Sequence, residues 1–209
     1  MTACWNCQQP TDPVATPRCA SCNKLQPLPA GVSHFAVLGL PEGYGVDVSA
    51  VDAAYRQKSL QVHPDRFARA EPKERRIAAE RTAAVNAAYS VLKHPFLRAA
   101  YLVERAGVKL DEKPDPMLLM ELMETREAAE ESDSRRAALV EKTRAEKETF
   151  MTTLSAQLET LQREGRLHDK AAMAPVASTL IRVKYLGRLL DDLMGVRDEA
   201  LTPGMSLAH

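Results

Sequence analysis

The chain has 209 residues, enough for one large domain or two smaller ones, and carries 28 basic and 28 acidic side chains, a formal net charge of zero. That balance argues against a generally cationic binder of nucleic acid or membrane, and no apolar run approaches the roughly 18 residues of a transmembrane helix. The N-terminus shows neither a charged-then-apolar secretory pattern nor an Arg/Ser-rich, acid-poor leader, so the expected compartment is the cytoplasm, or the mitochondrial matrix for a eukaryotic mature form.

In chain order, all four cysteines come first, as Cys4-Trp-Asn-Cys7 and Cys19-Ala-Ser-Cys22, a C-x2-C-x11-C-x2-C pattern. Each pair puts two thiolates within reach of one ion, and the loop between them brings the second pair round to complete a tetrahedron. Structural zinc is the expected occupant of Cys4, Cys7, Cys19 and Cys22. An iron centre with the same ligands, two disulfides, or four free thiols are the other readings, and disulfides sit poorly with a cytosolic chain. The proline-containing QPLPAG that follows is a linker candidate.

The next elements are helical. HFAVLGL predicts a short helix, and Val51, Tyr55, Ser59 and Val62 recur at helical spacing on a longer one that Pro64 ends. A second long helix is expected to start near Glu71-Pro72, to carry Ile77, Ala84, Ala88 and Leu92 on one face, and to stop at Pro95. The two form an antiparallel pair with Phe35, Leu38 and Leu97 covering the seam and His63-Pro64-Asp65 in the joining loop. After the connection DEKPDP, three helical segments follow at roughly 117–131, 134–164 and 169–196, lengths that suit a three-helix bundle. Phe150, Leu154, Leu158 and Leu161 on the second segment, with Leu180, Ile181, Leu189 and Leu193 on the third, form the expected core stripes. No strand pattern, repeat or low-complexity tract competes. The fold class is all-α, in three parts: a cysteine module with linker at 1–30, a helical hairpin domain at 31–110, and a bundle with tail at 111–209.

Charge divides these parts further. Tyr55 to Arg81 holds eight basic residues against four acids, whereas Asp111 to Asp133 holds nine acids against two bases, so the two regions should meet different partners. At the His-Pro-Asp loop, a catalytic pair is the weakest reading, because a rigid proline separates the two side chains and no serine or cysteine nucleophile stands nearby. A plain turn would need only the proline and aspartate. Docking of an acidic protein surface is favoured by Arg56, Lys58 and Arg66 around the loop.

YRQKSLQVHPDRF followed by VNAAYSVLKHPFLRAAYL resembles the J-domain, the module that stimulates ATP hydrolysis by DnaK-type chaperones. The resemblance implies that His63, Pro64 and Asp65 engage the chaperone, with Arg56, Lys58 and Arg66 steering the encounter. Gln57 and Gln61 stand where general J-proteins commonly have lysine, which suits a dedicated, HscA-like chaperone. MLLMELMETREAAEE, residues 117–131, resembles the first bundle helix of HscB, the co-chaperone of iron-sulfur cluster assembly, and some members of that family also carry an N-terminal tetracysteine module. Independently, Leu118, Leu119, Met120, Leu122 and Met123 cover about 200° of that helix, wider than one core stripe requires, so part of it should be exposed. The resemblance places Leu119, Met120, Met123, Glu124 and Glu127, with Tyr185 on the last helix, on the surface that holds an IscU-like scaffold.

The reading is therefore a non-enzymatic co-chaperone, with no catalytic residues and no permanently bound cluster, that brings the scaffold to its chaperone and binds neither nucleic acid nor membrane. The alternatives are a general J-type co-chaperone for unfolded clients, and a redox or metal-transfer protein that uses its cysteines chemically.

Overall fold

The computed structural model describes residues 2–110 and 114–195; the first three residues of the DEKPDP connection and everything after Gly195, including the expected helix end at 196, lie outside the described residues. The chain divides into two compact units between Tyr101 and Leu102.

The first unit opens with the cysteine module, where the one departure from an all-helical expectation occurs. Thr2–Ala3 (β1) pairs antiparallel with Pro10–Thr11 (β2), and Arg18 bridges to Leu25. The cause is local: each Cys-x-x-Cys knuckle reverses the chain, so the residues flanking it run back beside one another. The two knuckles are built alike. The carbonyl of Cys4 accepts from Gln8 N–H at 3.0 Å and that of Cys19 from Asn23 N–H at 2.9 Å, while the N–H groups of Cys4 and Cys19 donate to Gln9 and Lys24 carbonyls. Gln8 (φ 62°) and Asn23 (φ 58°) close these turns in the left-handed region, which non-glycine residues seldom occupy. This is a small internal repeat that the amino-acid pattern alone did not reveal.

The helices of the unit start and stop on local signals. Helix α1 (His34–Leu38) is capped by the Ser33 hydroxyl and ends at Gly39, whose φ of 74° needs no Cβ. Helix α2 (Val48–Val62) is capped by Asp47 and ends where His63, restricted by Pro64, turns extended. Helix α3 (Pro72–Lys93) has its proline in the first turn, where no N–H is missed, and stops two residues before Pro95, which opens α4 (Pro95–Arg105). Helices α2 and α3 are antiparallel: Asp52 meets Tyr89, Tyr55 meets Asn86, and the Val62 carbonyl meets Thr82. Phe35, Leu38, Val51, Val62, Ile77, Ala88 and Leu92 are buried as expected. The α3 seam, however, runs through Val85, leaving Ala84, Tyr55 and Ser59 half-buried, because the tyrosine pair stacks at the seam's edge with ring centroids 4.1 Å apart. Arg98 is also buried. It ties the end of α3 to the loop between α1 and α2 by donating to the carbonyls of Leu92, Tyr44 and Val46, and burial holds its pKa below the usual guanidinium range.

In the second unit α5 (Pro116–Ala129), α6 (Asp133–Arg163) and α7 (Lys170–Met194) begin at Asp115, Ser132 and Asp169, each side chain accepting from backbone N–H groups of the first turn. Arg182 with Glu146, and Gln157 with Pro175 around one groove, set α6 and α7 antiparallel. Glu121 with Arg182 and Arg126 with Asp192 set α5 parallel to α7. Leu154, Leu158, Leu161, Met173, Val176 and Leu180 are buried, while Leu189 and Leu193, expected to belong to the same stripe, cluster with Ala129 of α5 and with Leu122, Leu139 and Val140. Phe150 and Ile181 are only half-buried, since Phe150 lies beneath the Arg182 guanidinium, 4.8 Å from ring centroid to Cζ.

Candidate functional site

Three sets of residues carry the chemistry. The first is the loop after α2. His63 serves both as the end of α2 and as the start of a single 3-10 turn, Pro64–Phe67. Its Nδ1 accepts from the Asp65 N–H at 3.4 Å and lies 3.5 Å from the Asp65 carboxylate, while the Asp65 side chain points almost wholly into solvent. Imidazole and carboxylate are thus displayed together, with no nucleophile brought to them. Arg66 folds back instead of standing free: its Nη1 donates to the Leu60 carbonyl at 3.0 Å, so it closes the C-terminal end of α2. Arg56 is exposed, but Lys58 is half-buried with its terminal atoms near Gly39, and two positions apart on a helix the pair diverges by about 200°. The three cations expected around the loop therefore do not share one face. Phe67, which spacing did not single out, closes the turn and is 2% exposed.

The second set is the cysteines. All four Sγ atoms lie within 4.8 Å of one another, with Cys4 to Cys22 at 3.6 Å and Cys7 to Cys19 at 3.7 Å. Four sulfurs about 2.3 Å from a central dication stand about 3.8 Å apart along a tetrahedron edge, so the spacing fits a metal and is far too long for disulfides. Electrostatics agree. Burial pushes the Cys4 thiol up, but hydrogen bonds from the backbone of Cys7 and Asn6 and from neighbouring thiols outweigh it and bring it down to about 6. At Cys7 the Gln9 backbone favours the thiolate, yet burial and the three sulfurs around it push the thiol up to about 12. Four thiolates cannot coexist there unless a cation neutralises them. Cys4 and Cys19 are buried and Cys7 and Cys22 half-buried, and four thiolates would fill every position of a tetrahedral ion.

This module is seated on α3. Glu74 accepts from Leu25 N–H at 3.0 Å and from Lys24 Nζ at 3.1 Å, and Arg81 donates to the carbonyls of Gln26 at 2.5 Å and Pro13 at 2.6 Å. Burial without an acid partner brings Arg81 down to about 10. Trp5 donates through Nε1 to the Leu25 carbonyl and lies under Lys73, 4.4 Å from the ring centroid. Gln26, the first residue of the expected linker, is buried at the centre of this contact. Glu74 and Arg81 were missed as functional residues, although both fall in phase with Ile77, Val85 and Ala88 on α3, and charges inside an apolar stripe are the signal that would have found them.

The third set is on α5. Leu118 is buried, while Met117 (74%), Leu119 (46%), Met120 (58%) and Met123 (53%) are exposed, so the surplus apolar width does face solvent. Glu124 and Glu127 are exposed on the same helix. Tyr185 is half-buried beneath Arg188 on α7, one turn beyond the Arg182 that pairs with Glu121 of α5.

A helical hairpin that displays His-Pro-Asp at its tip defines a J-domain protein, a co-chaperone that works on an Hsp70-type chaperone rather than an enzyme. Residues 33–101 match the family model of the DnaJ domain, and residues 114–194 match that of the HSCB C-terminal oligomerisation domain. A co-chaperone protein HscB homolog of Cupriavidus taiwanensis is 43% identical over 134 residues, 60% of this chain and 76% of that protein. An iron-sulfur cluster co-chaperone protein HscB homolog of Arabidopsis thaliana is 37% identical over 133 residues, 62% of this chain and 52% of that protein. The crystal structure of human co-chaperone protein HscB superposes with a TM-score of 0.74 at 23% identity, covering 91% of this chain and 96% of that one. The chain belongs to the HscB family of co-chaperones. Among the described residues no helix is long and apolar enough to cross a membrane.

Proposed function

We propose that this co-chaperone serves iron-sulfur cluster assembly by delivering an IscU-like scaffold protein to a dedicated, HscA-like chaperone of the DnaK type. The observation that carries the reading is the pairing, on one chain of the HscB family, of a displayed His-Pro-Asp loop with a solvent-facing Leu/Met surface on α5. His63, Pro64 and Asp65 contact the chaperone, and Arg56, Lys58 and Arg66 supply positive potential around them. Leu119, Met120, Met123, Glu124, Glu127 and Tyr185 hold the scaffold, with flexible methionines moulding to its contours and the glutamates setting register at the rim. Holding both partners on one chain raises the concentration of each at the other, and loop contact favours the chaperone's hydrolytic state.

In this division of labour residues 1–30 form the metal module, 31–110 stimulate, and 111–209 carry cargo. The module holds one structural zinc on Cys4, Cys7, Cys19 and Cys22, which organises the fold and does no chemistry. Closely spaced, unbridged thiols favour a reducing compartment, cytoplasm or mitochondrial matrix. The test is ATPase stimulation of an HscA-like and a general DnaK-type chaperone, with and without folded scaffold. Stimulation of the dedicated chaperone that rises with scaffold and vanishes in His63→Gln is the expected result. Equal stimulation of both chaperones, enhanced by a denatured client and not by scaffold, would replace this reading with that of a general co-chaperone.

A further inference from the structure

Arg18 links the cysteine module to the His-Pro-Asp turn. Arg18 immediately precedes Cys19, and its Nη1 donates at 2.8 Å to the carbonyl of Asn23, the left-handed residue that closes the second knuckle. The same nitrogen lies 3.9 Å from the Glu74 carboxylate. The guanidinium carbon stands 4.9 Å from the centre of the Phe67 ring. Phe67 is the last residue of the turn that begins at Pro64; beside the Asp65 N–H to His63 and Arg66 to Leu60 contacts, the turn is held by Arg66 N–H to the His63 carbonyl at 3.1 Å and Ala68 N–H to the Asp65 carbonyl at 3.4 Å. A lone 3-10 turn has poor hydrogen-bond geometry, so its shape follows from how Phe67 is seated. A cation held over a buried ring seats it from above, and the knuckle holds the cation.

We propose that Arg18 is a positioning residue for the His-Pro-Asp loop, through which the cysteine module, when its thiolates are metal-bound, fixes the conformation the loop offers to the chaperone. The proposal rests on the reading that this loop docks the chaperone. It gives the module a task in stimulation and none in cargo binding. Lysine at position 18 would keep a cation over the ring but lose the fork that reaches Asn23 and Phe67 together.

The experiment uses the full chain as wild type, Arg18→Ala, Arg18→Lys, Phe67→Leu and His63→Gln, with wild type also measured after chelator treatment. Two quantities are read: the co-chaperone concentration giving half-maximal chaperone ATPase stimulation, and hydrogen exchange at the amides of Arg66, Ala68 and Ala70, with α7 amides as internal control. Arg18→Ala, Phe67→Leu and metal removal should each raise the half-maximal concentration about three- to tenfold, as loss of one cation–ring contact implies, at unchanged maximal stimulation. Exchange at the three loop amides should quicken by a similar factor while α7 stays protected, and Arg18→Lys should recover at least half of the loss. Unchanged loop exchange in Arg18→Ala overturns the proposal. So does unchanged half-maximal concentration in a preparation where His63→Gln abolishes stimulation. If His63→Gln stimulates normally, the docking role of the loop is what has failed, and loop exchange alone then decides for or against Arg18.

Discussion

Glu74 offers a direct measure of how firmly the cysteine module is attached. It is 5% exposed, and its carboxylate accepts from the buried Leu25 N–H and from Lys24. Burial pushes its pKa up, but the Leu25 N–H and Lys24 outweigh that and hold it below the usual carboxylate range. Glu74→Ala removes a charge-assisted bond worth about 1.5–3 kcal/mol and strands a buried N–H, whereas the solvent-screened Lys24 partner adds little. The expected loss is about 2–4 kcal/mol of module attachment. Trp5 is the chain's single tryptophan and lies inside this contact, so its emission reports module release while far-UV circular dichroism reports the helices. In urea, the Trp5 transition of Glu74→Ala should move at least about 1 M below that of wild type, with the bundle transition unmoved. Because the folded pKa is depressed, the stabilisation is complete above the unfolded carboxylate pKa near 4.3 and is lost as pH falls through the lower folded value. Glu74→Gln should lack that acid-dependent step when compared with wild type at equal metal content. A Trp5 transition unchanged in Glu74→Ala would show that the module is held by something other than this carboxylate.

The metal-loaded protein should contain one zinc per chain, and acidification below about pH 6 should release it, since protons compete for the thiolates; metal analysis after dialysis across a pH series checks this. Replacing Leu119, Met123 and Tyr185 together with alanine should weaken binding of an IscU-like scaffold by about 1–2 kcal/mol per residue, as calorimetric titration reads, with the melting temperature nearly unchanged; a collapse in melting temperature would mark them as core. Gln8→Gly should be neutral or should stabilise the module by up to about 1 kcal/mol, because φ of 62° strains a glutamine side chain, whereas Asn23→Gly should gain less, since asparagine tolerates that region; chelator-titration midpoints distinguish them.

What could be read from sequence was what has a short range. Pro64, Pro72 and Pro95 dictate helix boundaries through their own missing donors, and the cysteine spacing suits four sulfurs converging on one point, so loop, hairpin and cysteine cluster were all legible. The expected bundle segments starting at 134 and 169 fall within one residue of α6 and α7, whose first turns are capped by Ser132 and Asp169. The seating of the module on α3 was not, because it depends on residues some fifty positions apart meeting in space, and Glu74 and Arg81 look like ordinary surface charges in a helix full of them. The return of Arg66 to the end of α2 was hidden for a related reason: its side chain is long enough to reach the carbonyl six residues earlier, and nothing in the residue type says which way it will turn. The one-residue shift of the α3 seam from Ala84 to Val85 reflects packing against α2, where the stacked Tyr55 and Tyr89 fix the helix rotation.

Helix α5 buries Leu118 and Ala129, with Leu122, Leu139 and Val140 packed around Ala129, Leu189 and Leu193, and it is tied further by the ion pairs Glu121–Arg182 and Arg126–Asp192 at the bundle surface. Fourteen residues make a marginal helix by themselves, so α5 exists as a helix to the extent that it stays docked. Added salt weakens the ion pairs and lets the helix detach a larger fraction of the time. Any ligand that recognises the Leu119–Met123 face binds only the docked form, and its apparent dissociation constant grows in inverse proportion to that fraction. Binding to a face made of leucine and methionine would then respond to ionic strength, although neither surface in contact need carry a charge.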